Sequence, residues 1–219
     1  MSACPVASRL STNSTNSSSE NPAMKSRIRN TIAVLGIAFG AVAVPPAVAA
    51  PTAQINGGYT LVEFLPDFVN ALTFLGIAPS KTLPATLYQR IGYFPITGGR
   101  IDAATARGEV PHAGGLTLTK GATQVVLSDF IIDTASGQPK LTGIVTANGT
   151  IVGRIPLFNL ALPAIALPLT LPPGPEILLI EGNKVTLSQE AATALNAAFG
   201  THAFVPGFNI GIASIYGNY

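Results

Sequence analysis

The sequence predicts a mainly β protein, built as a single β-sandwich-like domain of about eight to ten short antiparallel strands with two short marginal helices. Three observations favour this class. The 219 residues include 22 glycines and 18 prolines but only 10% charged residues, which is typical of many short elements joined by turns. Residues 107–133 contain three consecutive strand-like segments. Asn148-Gly149, the strongest two-residue hairpin signal in the chain, separates two more.

Residues 24–49 have the three parts of a secretory signal peptide. Three basic residues lie between positions 25 and 29, and an apolar run over 31–44 follows them. That run is shorter than the roughly 20 residues that span a bilayer, so it predicts a cleaved signal and no transmembrane anchor. Because Ala47 and Ala49 form an A-x-A site, cleavage is expected after Ala49, which predicts a secreted or cell-surface protein.

Residues 1–23 are rich in Ser, Thr and Asn and precede this signal. They are interpreted as a disordered extension or as a misplaced start, with Met24 as the true one. They hold the only cysteine, Cys4, so residues 50–219 contain no thiol or disulfide. Those residues form the predicted single β-rich domain. They carry eight Lys/Arg and nine Asp/Glu, a net charge of −1, which indicates no nucleic-acid partner.

Two helices are predicted at the margins of the sheet. Pro66 and Asp67 suit a first helical turn, apolar residues recur at helical spacing, and Gly76 suits its end. In the second helix, Ser188 is an N-cap residue and Gly200 follows the last turn. A final strand is expected over 208–215.

The central segment, residues 107–133, predicts a three-stranded meander that turns at Gly114-Gly115 and Lys120-Gly121. Its last strand has apolar residues at both alternating positions, so we expect both of its faces to be buried in the middle of a sheet. The predicted core comprises Phe94, Ile96, Val110, Leu116, Leu118, Val125, Leu127, Ile131, Val145, Ile155, Leu195 and Phe199.

Six prolines lie between positions 156 and 175, among leucines, alanines and isoleucines. Proline removes backbone donors, so this segment is not expected to form a central strand or an intact helix. Two interpretations remain open, an edge strand followed by an extended loop or a lid over a ligand. Its apolar residues must pack on the sheet or on a partner.

The sequence predicts no catalytic residue and no metal site. His112 and His202 are the only histidines, and neither has a metal-binding spacing. Asp129 and Asp133 lie four residues apart on one strand, with Glu109 on a neighbouring one. Paired carboxylates suit a glycosidase or a calcium site, but solvated or turn-capping carboxylates are the preferred interpretation, since the chain has no tryptophan and no Asp-rich calcium loop. No G-x-S-x-G, P-loop or dinucleotide-binding motif is present.

His112 is the one candidate ligand-binding residue. It lies beside a Gly-Gly pair, where a histidine ring often bonds a backbone carbonyl, and it could also hold a ligand or assist a tyrosine that does. Tyr59, Tyr88 and Tyr93 precede it and could supply such a tyrosine.

Three features follow one another in the sequence: the order Gly-x-Val-x-His-x-Gly-Gly-Leu-x-Leu over 108–118, a long apolar strand, and Thr-Leu-Ser-x-x-Ala-Ala over 186–192. Together they resemble secreted actinobacterial proteins of unassigned role, across about residues 90–215. More distantly, residues 108–118 and 186–200 are similar to the HtaA-type haem-binding domain. That resemblance implies a β-rich fold and haem iron bound by a tyrosine with help from a histidine. Only His112 maps onto this pair by motif.

The predicted function is that of an exported, non-catalytic extracellular or cell-envelope module that needs no cofactor and binds a small ligand or an envelope component. The first alternative is a haem-binding domain of HtaA type, in which His112 would be an iron ligand or the partner of one. The second alternative is a secreted hydrolase.

Overall fold

The computed structural model describes residues 51–167, 169 and 177–219, so the signal peptide and the segment before it lie outside the described residues. Two helices and thirteen strands occur within these ranges. In chain order they are β1 Thr52–Ile55, β2 Gly57–Phe64, α1 Pro66–Phe74, β3 Ala78–Thr82, β4 Thr86–Tyr88, β5 Ile91–Pro95, β6 Gly99–Asp102, β7 Gly108–Pro111, β8 Gly115–Lys120, β9 Thr123–Asp133, β10 Lys140–Ala147, β11 Thr150–Ala161, β12 Ile177–Leu187, α2 Gln189–Phe199 and β13 Asn209–Asn218. Neither helix is long and apolar enough to cross a membrane.

All the described strands belong to one antiparallel sheet that curls around the core. Its order is β1-β6-β7-β9-β10-β11-β12-β13-β2-β5-β4, and β8 and β3 branch from β9. The mainly β class is therefore confirmed, but a sandwich of eight to ten strands is not. A large antiparallel sheet twists at every strand pair, so it can enclose its own apolar face without a second sheet.

Strand β9 joins the two branches of the sheet. One edge pairs with β10, while the other pairs with β8 through residues 123–128 and with β7 through residues 131–133. Because β7 pairs with β9 and not with β8, the predicted meander is wrong, although its β8–β9 hairpin is present. Gly115 serves close packing, since a Cβ there would collide with the carbonyl of Leu127 on β9.

At Asp129 the alternation of buried and outward-facing residues along β9 shifts by one position. Its backbone φ of 50° interrupts the strand between the two partners. After this bulge, Phe130 and Ile132 join Val125 and Leu127 on the buried face, whereas Ile131 is only partly buried. The prediction that both faces are buried is wrong for this reason. Of the twelve predicted core residues, Ile131 and Ile155 are half-buried and the other ten are buried.

The predicted β10–β11 hairpin is confirmed. Asn148 and Gly149 both have positive φ, 48° and 81°, as a tight two-residue turn requires. The side-chain oxygen of Asn148 also accepts a hydrogen bond from the backbone of Gln124, at 2.8 Å, which ties the turn to β9.

The proline-rich segment is partly described. Strand β11 continues through Pro156 to Ala161 between β10 and β12, so the prediction of an edge strand is wrong. Pro156 is tolerated because it faces a register shift in β10, where a ladder donor is not needed. Residues 162–167 have no regular secondary structure, and the backbone N–H of Leu169 donates to the carbonyl of Ala103 at 2.6 Å. The rest of the segment, at 168 and 170–176, lies outside the described residues.

Both predicted helices are present. Helix α1 starts at Pro66 and buries Leu72. Helix α2 packs on the sheet through Ala191, Leu195 and Phe199, and it ends at Gly200 in the left-handed conformation. Residues 77–84, which the prolines at their end suggested were a connection, contain β3, and residues 85–93, ambiguous between strand and helix from sequence, supply β4 and part of β5.

Ser188→Ala is expected to lower the free energy of unfolding by about 1 to 2 kcal/mol. The hydroxyl of Ser188 accepts a hydrogen bond from the N–H of Ala191 at 2.9 Å and donates to the carbonyl of Pro156 at 2.8 Å, so it caps α2 and ties it to β11. Urea unfolding of this variant beside Thr193→Ala, an exposed hydroxyl on the same helix, measures the difference. Equal losses in the two variants would contradict it.

Candidate functional site

The backbone of His112 is held between two parts of the sheet. Its N–H donates to the carbonyl of Phe130 on β9 at 2.7 Å, and the residue forms an isolated β-bridge with Ile96, just after β5. The ring therefore has a fixed position on the inner face of the sheet, where only 4% of the residue is exposed.

The ring is hydrogen-bonded to Thr60. His112 Nε2 lies 2.7 Å from Thr60 Oγ1, and Thr60 is 3% exposed on β2. The motif around His112 predicted a turn histidine whose ring bonds a backbone carbonyl, holds a ligand or assists a tyrosine. In the structure, Nε2 bonds a side chain that comes from 52 residues earlier in the chain.

Burial lowers the pKa of His112 from 6.5 to about 4. The carbonyls of Phe130 and Val110 favour the charged ring and offset part of this effect. Neither carbonyl makes a well-formed hydrogen bond with Nδ1, which has no partner among the described residues. The ring is therefore neutral at physiological pH.

A small cavity of about 30 Å³ adjoins this pair. Its walls are apolar apart from Thr60, His112 and Asn183, and they include the rings of Phe94 and Phe130. Asn183 is 1% exposed. Its amide nitrogen donates to the carbonyls of Ile180 and Ala213, both at 3.0 Å, but its Oδ1 has no partner in the described part of the chain. Two buried polar atoms near the cavity thus lack a hydrogen bond.

A hydroxyl bonded to a histidine is also how a nucleophile meets its general base. Two features distinguish the Thr60–His112 pair from such a catalytic arrangement. No carboxylate orients His112 through Nδ1, and the cavity beside the pair is too small for an ester, peptide or glycoside.

Glu109 lies directly opposite Asp133 across the β7–β9 pair, as the sequence suggested, but no third acidic side chain joins them in a metal-binding group among the described residues. Asp129 accepts a hydrogen bond from the hydroxyl of Ser128, and Asp133 accepts one from the N–H of Ala135 and pairs with Lys140 at 3.8 Å. Both carboxylates therefore have local structural roles. His202 is exposed after α2, and no group of three or more metal-ligating side chains occurs in the described part of the chain.

The tyrosines named from sequence lie on the opposite face of the sheet from His112. Tyr59 stacks on Tyr216 with ring centroids 4.8 Å apart, and it contacts Tyr93 at 5.9 Å. Tyr59 and Tyr93 are 41% and 37% exposed. We call Tyr59, Tyr93 and Tyr216 the tyrosine cluster. Tyr88 is 69% exposed on the neighbouring strand β4 and has no ring contact with the cluster.

Loss of hydration raises the pKa of the Tyr216 phenol, and the carboxylate of Glu181 and the neighbouring tyrosines raise it further. Tyr216 therefore stays protonated at neutral pH. The three rings of the cluster are fixed on three adjacent strands, β13, β2 and β5.

No protein-family model and no curated protein matches this sequence. Solved structures do match. The C-terminal domain of HtaA from Corynebacterium glutamicum superposes with a TM-score of 0.58 at 16% identity, over 75% of this chain and 98% of that one. The N-terminal domain of HtaA gives a TM-score of 0.55 at 15% identity, over 75% and 98%.

The fold is that of the HtaA domains. A domain-swapped dimer of a histidine-to-alanine variant of the HtaA C-terminal domain also matches, with a TM-score of 0.50 at 17% identity, over 69% of this chain and 90% of that one. The distant resemblance found in the sequence is thus confirmed at the level of fold.

The tyrosine–histidine pair implied by the resemblance is not assembled here. Thr60, and no tyrosine, is the side chain hydrogen-bonded to His112 Nε2. Tyr59 is next to it in sequence, yet successive residues of a strand point to opposite faces, so its phenol lies outside. The residues around His112 therefore do not fit haem iron held in that way.

Sequence reasoning missed Thr60, Asn183 and Tyr216. A signal was present for Thr60, because it alternates with Val62 and Phe64 along β2 and is the one polar member of that inward set. Tyr216 could not be placed beside Tyr59 from sequence, since 157 positions separate the two and only the β13–β2 register joins them.

Proposed function

We propose that this chain is an exported, non-catalytic binding domain that contacts its ligand through the tyrosine cluster. The observation that supports this proposal is the set of three adjacent tyrosine rings, partly exposed on the outer face of the sheet. Large exposed aromatic groups on a rigid surface are typical of interaction sites, because they bury much area with little loss of side-chain entropy.

The strands hold the cluster rigidly. Tyr59 and Tyr216 are directly paired across β2 and β13, while Tyr93 on β5 pairs with Leu61, two residues along β2. The rings therefore form one surface whose shape does not depend on a loop. Phenol rings next to the carboxylate of Glu181 suit a flat or ring-shaped ligand that also carries hydrogen-bonding groups.

We propose two classes of ligand for the tyrosine cluster, and each can be tested. Haem comes first, because the sequence distantly resembles the HtaA-type haem-binding domain and the fold is that of the HtaA domains. Since the interior around His112 does not fit haem iron, the flat macrocycle would then stack on the outer rings, on the face opposite His112. A saccharide of the cell envelope comes second, since pyranose rings also stack on tyrosines. Export itself is supported by the signal-like residues 24–49.

Tyr59→Ala is expected to weaken ligand binding at least about tenfold, because Tyr59 is the central ring and touches both of the others. Hemin binding is followed by the visible spectrum, and peptidoglycan binding by co-sedimentation. Tyr88→Ala is the matched control, since it removes an exposed tyrosine from the same face but outside the cluster, and it is expected to leave binding unchanged.

Binding that is equally insensitive to both substitutions, or absent for both probes, would refute the proposed role of the cluster. Turnover of an ester, peptide or glycoside that is lost in His112→Gln would instead favour the hydrolase alternative.

A further inference from the structure

We infer that the interior beside Thr60 and His112 is closed to haem and is not the place where a haem iron is bound. The inference concerns a different face of the sheet from the tyrosine cluster, so it stands or falls independently of the proposed function.

The cavity offers a ligand no free polar atom. Its accessible walls are apolar, and His112 Nδ1 and Asn183 Oδ1, which lack a hydrogen bond within the described residues, are buried away from it. The propionates or the iron of a haem placed there would therefore lose their hydration without gaining a polar partner.

The volume excludes a macrocycle. The cavity beside His112 measures only about 30 Å³. A cavity several times larger, about 150 Å³, is needed even for benzene. A porphyrin could enter only if Phe94 and Phe130, which pack edge to face at 5.4 Å, moved apart.

The side chain facing His112 is also the wrong one for iron. Thr60 presents a short aliphatic hydroxyl that is already bonded to Nε2 at 2.7 Å. Its neighbour Tyr59 cannot replace it without a one-residue slip of β2, which would turn every buried residue of that strand outward. The pair instead fastens β2 to the segment after β7.

The test is a hemin titration of the wild type, Thr60→Val and His112→Gln, recorded as visible spectra. Thr60→Val keeps the side-chain shape and removes the hydroxyl, and His112→Gln keeps a polar group of similar reach. We expect no tyrosinate–iron charge-transfer band, and affinities within about twofold of each other. Far-ultraviolet circular dichroism checks that both variants fold.

Saturable one-to-one binding with that band, weakened about tenfold or more by either interior substitution in a folded variant, would overturn the inference. Binding lost only in Tyr59→Ala would support both this inference and the proposed function. No binding in any variant would support the closed interior and remove haem as the ligand of the cluster.

Discussion

Lowering the pH from 7 to 4 is expected to reduce the free energy of unfolding by about 3 kcal/mol through His112 alone. The pKa of this ring is about 4 in the folded protein and 6.5 when exposed, so the unfolded chain binds the proton first. The folded state therefore has its full advantage above pH 6.5 and loses it as the pH falls towards 4. Protonation would also place a charge in an apolar cavity.

Urea unfolding at several pH values between 4 and 7 measures this effect. The carboxylates titrate over part of the same range, so the comparison that matters is between the wild type and His112→Gln, which shares every carboxylate. The pH dependence of the variant is expected to be shallower. Parallel stability curves for the two proteins would show that His112 does not control acid unfolding.

Leu127→Ala is expected to cost about 2 to 5 kcal/mol of unfolding free energy. Leu127 is 4% exposed on β9. It faces Leu157 on β11 and Leu195 on α2, where this helix packs on the sheet. Removing it would leave a cavity that this layer cannot collapse to fill, because strand pairing on both edges of β9 fixes the backbone.

Ile151→Ala is the matched control. Ile151 lies on β11 and is 71% exposed, so truncating it is expected to cost less than about 0.5 kcal/mol. Chemical denaturation of both variants beside the wild type gives the comparison. A loss below about 1 kcal/mol for Leu127→Ala would mean that β9 is not a central strand of the core.

Local signals in the sequence were sufficient for the helices and the tight hairpin. Pro66, Ser188 and Gly200 act within one turn of helix, and Asn148-Gly149 specifies its turn by its own backbone preferences. These features depend on neighbours in the chain, so the sequence displays them directly.

Long-range pairing could not be predicted in the same way. No residue near β7 indicates that this strand pairs with β9 and not with β8. The bulge at Asp129 was also not predicted, because the sequence does not show that the alternation of buried and outward residues shifts by one position there. An unbroken alternation was assumed through residue 129, and that assumption placed Ile131 in the core.

The candidate site was predicted only in part. His112 was singled out from its motif, and the structure places it in the interior. Its partner Thr60 lies on a strand that is not adjacent to β7 in the sheet, so the contact depends on the curl that brings inner faces together. The outer tyrosines were noted as residues, but their grouping required the register of three strands.

The position of β13 has a consequence for how the domain folds. It lies between β12 and β2, and its residue Asn218 pairs with Gly57, so β2 completes its pairing only with a strand from far along the chain. A folding intermediate in which residues 209–218 are not yet in place would leave β2 and β12 each with an unpaired edge of the kind that recruits other chains into aggregates.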